Sequence, residues 1–206
     1  MSGNLAGIIL AGGLSRRMGG GAARRVDKGL LDLGGRPVIA HVIARLDCAA
    51  AINANGDPAR FADFGLPVIP DTLPDHPGPL AGVLAGMDWA AARGIPRIVT
   101  AAADTPFFPP GLAAALAAPA APIAMATHDG QDHPAFAVWD CALAGELRAA
   151  LLAGTRRMRD WMDAQGAARV ELPGPGDGTD PFFNINTPTD LGEARRRLGA
   201  AENPRN

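Results

Sequence analysis

Short apolar runs alternate along the chain with segments whose apolar residues recur at helical spacing. The apolar runs predict buried strands and the segments between them predict helices. The predicted strands are Leu5–Leu10, Ala50–Ala54, Leu66–Ile69, Arg97–Ala102, Ile123–Thr127, Ala135–Trp139, Ala168–Leu172 and a last short strand that begins at Phe182. The predicted helices are Pro37–Leu46, Pro58–Phe64, Leu80–Ala92, Pro110–Ala117, Ala142–Leu152, Arg156–Gln165 and Thr189–Leu198. This order predicts a Rossmann-like α/β fold in three layers, with a mostly parallel sheet and helices on both faces.

Length and composition favour one globular domain. The chain has 206 residues, of which 48% are hydrophobic and 19% charged. We expect a single domain over residues 1–199 and a flexible tail over residues 200–206. The formal net charge of -2 argues against a nucleic-acid partner or an anionic membrane surface.

Cysteine usage and the lack of a leader pattern indicate the compartment. Cys48 and Cys141 are the only cysteines and lie far apart in sequence, which argues against a disulfide framework or a zinc cluster. The sequence shows neither the charge and apolar pattern of a signal peptide nor an apolar run of the ~20 residues that span a bilayer. We therefore expect a cytoplasmic protein.

Polar or small residues follow the first four main strands of the predicted sheet. They are Gly12-Gly13, Asn53, Asp71 and Asp104. In open parallel sheets, ligands bind beyond the carboxyl ends of the strands. We therefore predict that these residues meet at one ligand-binding crevice.

The loop after the first strand has the character of a phosphate site. Gly12 and Gly13 allow backbone N–H groups to approach phosphate oxygens, and Arg16, Arg17 and Lys28 supply positive charge. An ordinary turn with solvated arginines would have the same composition. Neither the dinucleotide fingerprint G-x-G-x-x-G nor the Walker pattern is matched, which disfavours both of those site classes.

Asp104 is the central candidate among the carboxylates. Because it follows a buried strand, it could hold Mg²⁺ together with the phosphates of a nucleotide. It could also simply form an Asx turn before the proline-rich segment that follows. Asp71 could merely begin a loop, and Asn53 could merely end its strand.

Two polar segments lie in the second half of the chain. His128, Asp129, Asp132 and His133 match no standard zinc spacing, and the Asp-Gly pair at Asp129 is typical of a hairpin turn. Asn184 and Asn186 would share one face of an extended segment, where they could bind a polar substrate or close the sheet edge. Thr187 is a candidate helix N-cap, with Pro188 at the first helical position and Asp190 in the first turn.

The motifs, taken in order, resemble the molybdenum cofactor guanylyltransferase family. They are LAGG-x-S-x-RMG from Leu10, DKGL from Asp27, NAN from Asn53, GPLAG from Gly78, DTPF-x-P from Asp104, HDG-x-x-HP from His128 and NINTP from Asn184. The resemblance runs from Leu10 to about Leu191 and implies a nucleotidyltransferase fold. It also implies transfer of GMP from GTP to molybdopterin, with Mg²⁺ as cofactor and pyrophosphate as the second product.

The same resemblance implies roles for individual residues. Arg17, Lys28 and Asp104 are the expected catalytic residues. Asp104 is also the expected Mg²⁺ ligand. Nucleotide contacts are expected from Leu10, Ala11, Gly12, Gly13, Lys28, Asn53, Asp71 and Asp104. Contacts with the second substrate are expected from Gly78, Pro79, Gly82, Asn184 and Asn186. Molybdenum-insertion proteins and apo-molybdoenzymes or their chaperones are the implied protein partners.

The loop before Lys28 departs from the family. Residues 21–26 lengthen it, so Arg24 or Arg25 could share the role of Lys28. A related transferase that uses CTP or a sugar 1-phosphate, a non-catalytic carrier of molybdopterin or nucleotide, and an interaction protein with a purely structural glycine loop remain alternatives.

Overall fold

The computed structural model describes residues 4–12, 14–15, 26–73 and 78–202. Its strands are β1 (Leu5–Leu10), β2 (Leu14–Ser15), β3 (Val26–Asp27), β4 (Asp32–Leu33), β5 (Arg36–Pro37), β6 (Ala49–Asn53), β7 (Val68–Ile69), β8 (Arg97–Ala102), β9 (Ile123–His128), β10 (Gln131–Asp140) and β11 (Ala168–Glu171). Its α-helices are α1 (Val38–Arg45), α2 (Pro79–Ala91), α3 (Leu112–Ala117), α4 (Ala144–Leu152), α5 (Met158–Ala164) and α6 (Pro188–Glu202). Short 3₁₀ turns cover Lys28–Leu30, Pro58–Phe64 and Cys141–Leu143.

Seven strands form the main sheet, in the order β11-β9-β10-β8-β1-β6-β7. Strands β1, β6, β7 and β8 run parallel, whereas β10 is antiparallel to both of its neighbours. The chain leaves β1 toward β6 and β7 and then returns to β8 on the other side of β1. This reversal opens a crevice at the carboxyl ends of β1 and β8, which is where α/β sheets bind ligands. The predicted mostly parallel sheet is confirmed.

Helices cover both faces because apolar residues occupy both faces of the central strands. Ile9 belongs to an apolar cluster with α1 and α3, and its neighbour Ile8 belongs to a second cluster with α2, α4 and α5. Successive strand residues point to opposite faces, so one buried strand contributes to both clusters. The three predicted layers are therefore present.

Helix α2 lies close to the sheet because glycines face it. A Cβ at Gly86 would lie 3.0 Å from Ile8 Cγ1 and 3.1 Å from Ile98 Cδ1. Gly82, one helical turn earlier, faces the end of β6. The close approach brings the N-terminus of α2 to the edge of the sheet where the candidate residues meet.

The segment after Asp180 differs from the prediction. The expected strand beginning at Phe182 is wrong, since residues 183–186 are irregular. Phe182 joins the cluster beneath α3 while Ile185 joins a third apolar cluster with Val38. A backbone hydrogen bond from Ile185 N to Asp104 O, at 2.9 Å, links this segment to the residues that follow β8.

Two boundaries also differ. The turn between β9 and β10 contains only Asp129 and Gly130, both with positive φ, rather than all of residues 128–134.

Thr187 caps α6 as predicted, because its Oγ1 accepts from Asp190 N at 3.2 Å. The helix continues to Glu202, beyond the predicted end at Leu198, so the first part of the predicted tail is helical and residues 203–206 lie outside the described residues.

Candidate functional site

A cavity of about 380 Å³ lies at the carboxyl ends of β1, β6, β7 and β8. The residues predicted from the strand ends converge there. Of the predicted residues, it is lined by Leu10, Ala11, Gly12, Lys28, Asn53, Asp71, Gly78, Pro79, Asp104 and Asn184. Two backbone hydrogen bonds extend the strand pairing beyond the end of β1 and hold the cavity wall in place. Ala11 N donates to Asn53 O at 2.8 Å, and Ala103 N donates to Leu10 O at 3.1 Å.

One wall of the cavity is an amide and carboxylate network. Asn53 is buried and its Nδ2 donates to Ile69 O at 3.1 Å and to Asp71 Oδ1 at 2.9 Å. Asn55 Nδ2 donates to Asp71 Oδ2 at 2.8 Å, and Asp71 N donates to Asn55 Oδ1 at 2.9 Å. Both oxygens of Asp71 are thus oriented by amides, which presents the carboxylate in one fixed position.

Gly82 does not line this cavity but packs against Asn53, which does. An ideal Cβ at Gly82 would lie 2.2 Å from Asn53 Oδ1 and 2.9 Å from Asn53 Cγ. Real Cβ atoms do not approach other atoms so closely. The Asn53 amide can therefore occupy its buried position only because residue 82 of α2 is a glycine.

The opposite wall carries a cation and a carboxylate. Lys28 Nζ lies 3.5 Å from Asp104 Oδ2 and donates to Asn186 Oδ1 at 2.5 Å. Burial raises the pKa of the Asp104 carboxyl above its usual range, although the nearby Lys28 ammonium acts in the opposite direction. Asn186 thus reaches the site through Lys28 rather than by lining the cavity.

Lys28 is positioned by the residue before it. Asp27 Oδ1 accepts from Gly29 N at 3.2 Å and so caps the 3₁₀ turn that begins at Lys28. Its other oxygen accepts from Arg60 Nε at 3.2 Å, and Arg60 Nη2 donates to Asn55 O at 2.7 Å. Arg60 therefore links the lysine side of the cavity to the amide side.

The arrangement suits a polyanion. A carboxylate can carry a hard divalent cation through oxygen, a lysine can neutralise phosphate charge, and bare backbone at Gly12 leaves room for close approach. The donor set at Asp104 fits Mg²⁺, which binds through one or two carboxylates and takes its other ligands from phosphates and water.

Some predicted residues cannot be placed. Gly13 and Arg17, and the alternative cations Arg24 and Arg25, lie outside the described residues. Their roles stay predictions from the sequence.

Sequence reasoning missed Asn55, Asp27 and Arg60. Asn55 follows Asn53 by two residues and Asp27 precedes Lys28, so the NAN and DKGL motifs already contained both. Arg60 carried no such signal, because only the folded chain brings the turn Pro58–Phe64 against Asp27.

The hairpin residues lie away from this cavity. Asp132 forms ion pairs with Arg159 and Arg169, both at 3.2 Å, and the His133 ring stacks on Phe182 with ring centroids 4.0 Å apart. A second cavity of about 490 Å³ lies beside His128 and His133.

Comparison with known proteins places the sequence in one family. The sequence profile of the MobA-like NTP transferase domain matches residues 7–170. A protein of Rhodopseudomonas palustris (strain BisB5) named molybdenum cofactor guanylyltransferase is 48% identical over 198 residues, which cover 92% of this chain and 91% of that protein. One of the same name from Mesorhizobium japonicum is 46% identical over 206 residues, covering 95% and 96%.

A solved structure shows the same fold. The molybdopterin-guanine dinucleotide biosynthesis protein A of Archaeoglobus fulgidus superposes with a TM-score of 0.72 at 24% identity, covering 94% of this chain and 98% of that one.

Proposed function

The chain belongs to the MobA-like NTP transferase family, and from that premise we propose that it transfers GMP from GTP to the terminal phosphate of molybdopterin. The products are molybdopterin guanine dinucleotide and pyrophosphate. The observation that carries the proposal is that Asn53, Asp71, Lys28 and Asp104 line one cavity at the carboxyl ends of the parallel strands. The names of the relatives supply the identity of the nucleotide and of the acceptor.

The proposed reaction is one in-line displacement. An oxygen of the molybdopterin phosphate forms a bond to the α-phosphorus of GTP, and the bond from that phosphorus to the bridging oxygen of the β-phosphate breaks. Because a phosphate monoester is already anionic near neutral pH, the step requires no strong general base. Positioning and charge neutralisation therefore carry the catalysis.

The chain's own residues supply both. Lys28, held by the Asp27 turn and by Asn186, neutralises charge on the phosphates. The backbone from Leu10 to Gly12 lies against the nucleotide, and the fixed amides of Asn53 and Asn55 shape the wall of the cavity. Arg17 remains a predicted second cation.

Mg²⁺ is part of the proposal, with Asp104 as its protein ligand. When bound, the ion would neutralise phosphate charge and polarise the phosphoryl group. Burial of Asp104 supports this role, because a partly desolvated carboxylate interacts more strongly with a cation than an exposed one.

The decisive experiment measures GTP-dependent pyrophosphate release with and without molybdopterin. We expect release only with both substrates and Mg²⁺, and the dinucleotide as product by mass spectrometry. Competition among GTP, CTP and ATP tests the nucleotide. Tight nucleotide binding without pyrophosphate release would instead indicate a carrier, and preference for CTP would reassign the donor. The expected cytoplasmic location and protein partners stay predictions.

A further inference from the structure

Three metal-binding side chains meet at the carboxyl ends of β9 and β11, near the β11 edge of the sheet and outside the cavity that Asp104 lines. His128 ends β9, Asp129 begins the hairpin turn and Glu171 ends β11. One ligand atom from each lies within 4.8 Å of the other two. Because Glu171 is more than forty positions from the histidine along the chain, spacing within the HDG-x-x-HP motif could not reveal this group.

The His128 ring is held in one orientation with a free nitrogen. Its Nδ1 lies 2.9 Å from Leu172 O, a carbonyl that only accepts, so Nδ1 carries the hydrogen. In the neutral ring Nε2 then presents a lone pair, and the distance to Asp129 Oδ2 is 3.7 Å, too long for a hydrogen bond. Gly174 makes room for the ring, since a Cβ there would lie 2.9 Å from His128 Cε1.

Glu171 is likewise fixed by neighbours. Its Oε1 accepts from Asp129 N at 2.9 Å and its Oε2 accepts from Thr127 Oγ1 at 2.7 Å. Among the described residues, no lysine or arginine forms an ion pair with Glu171 or Asp129. The imidazole and the two carboxylates therefore lie close together without a lysine or arginine paired to either carboxylate in the part of the chain that the structure describes.

We propose that His128 Nε2 and the carboxylates of Asp129 and Glu171 bind a divalent transition-metal ion of the zinc class, at a site separate from Asp104. Imidazole together with carboxylates selects such ions over Mg²⁺. Hydrogen bonds that orient the imidazole and the carboxylate are the usual outer support of a metal ligand. Asp129 is 89% exposed, so its side chain is free to close on the ion.

The cavity beside the site leaves a coordination position open. His128, Asp129 and His133 line a space of about 490 Å³. Three protein ligands beside such a space match the open class of zinc site, in which water or a small ligand takes the fourth position. The inference does not depend on the proposed nucleotidyl transfer.

The test is Zn²⁺ titration of the untagged, chelator-stripped full chain by calorimetry, with Co²⁺ absorption as a second signal. We expect one site per chain that weakens by about 100-fold or more in H128A and in E171Q, as losing a ligand should cost at least as much as losing an outer-shell partner. Asp129→Asn is a second variant that keeps the turn, because asparagine tolerates the positive φ at this position.

The controls are D132N, which removes a neighbouring carboxylate that pairs with arginines, and D104N. Both should leave Zn²⁺ affinity within about twofold, since neither carboxylate belongs to the group. Loss of binding in D104N with retention in H128A would assign the ion to the nucleotide cavity and overturn the proposal. Equal affinity in the wild type and in D129N and E171Q would overturn it as well.

Discussion

Replacing Gly82 by alanine would place a methyl group where the Asn53 amide lies. The new Cβ would sit 2.2 Å from Asn53 Oδ1, so either the amide or helix α2 must move. Asn53 is buried and bonded to both Ile69 O and Asp71 Oδ1, which makes the displacement costly. We expect the Asn53 amide to leave its place and Asp71 to lose one of its two oriented contacts.

The expected loss of stability follows from three contributions. Overpacking a buried site costs about 1–3 kcal/mol, and the two lost hydrogen bonds cost about 0.5–1.5 kcal/mol each. Alanine offsets about 1 kcal/mol through its better helix propensity. The free energy of unfolding should fall by about 3 kcal/mol, which lowers the Tm of a domain of this size by about 6–12 °C.

The assay compares thermal unfolding and GMP transfer in wild type, G82A and a matched control. Gly192→Ala is that control, because Gly192 is also helical and a Cβ there meets nothing within 4 Å. It should be stabilising by up to about 1 kcal/mol. In an N53A background, Gly82→Ala should cost much less, since the two atoms closest to the methyl group are gone and only the end of the Leu10 side chain stays near, at 3.2 Å. Wild-type stability and activity in G82A, or additive effects in the double variant, would refute the reasoning.

Three further substitutions test the site. Asp104→Asn should nearly abolish turnover. It should also preserve or raise Tm at neutral pH. Burial raises the pKa of Asp104 in the folded state, so the wild-type free energy of unfolding falls as pH rises above the ordinary carboxyl range. An asparagine does not ionise and therefore does not lose this stability. Asn186→Ala should weaken use of GTP by about tenfold, from the loss of one bond to the Lys28 ammonium; unchanged steady-state kinetics would contradict this. Thr187→Ala removes a helix cap and should lower Tm by about 2–4 °C with little effect on turnover; an unchanged Tm in thermal unfolding would argue against the cap.

The same raised pKa makes a prediction about the protein without Mg²⁺. Because burial raises the pKa of the Asp104 carboxyl, this group should take up a proton at a pH above the ordinary range for an aspartate. Comparing the pH dependence of the unfolding free energy in wild type and in D104N, both without Mg²⁺, measures this. The same pH dependence in the two proteins would contradict the raised pKa.

Local signals were sufficient for most elements of the fold. The apolar run Leu5–Leu10 and the capping residues around Thr187 act over a few positions, so sequence alone located β1 and the start of α6. The strand predicted from Phe182 is absent because Phe182 and Ile185 pack into two different apolar clusters. In the sequence, such a segment has the same run of apolar residues as a buried strand.

Sequence by itself determined that the sheet is mostly parallel and, through the rule that ligands bind at strand carboxyl ends, the meeting of Asn53, Asp71 and Asp104. Only the tertiary structure decided which contacts orient them. Gly82 beneath Asn53, Arg60 against Asp27 and Glu171 beside His128 all join residues far apart in the chain. Periodicity reports which face of an element is buried, but the partner on that face is fixed only when the layers pack.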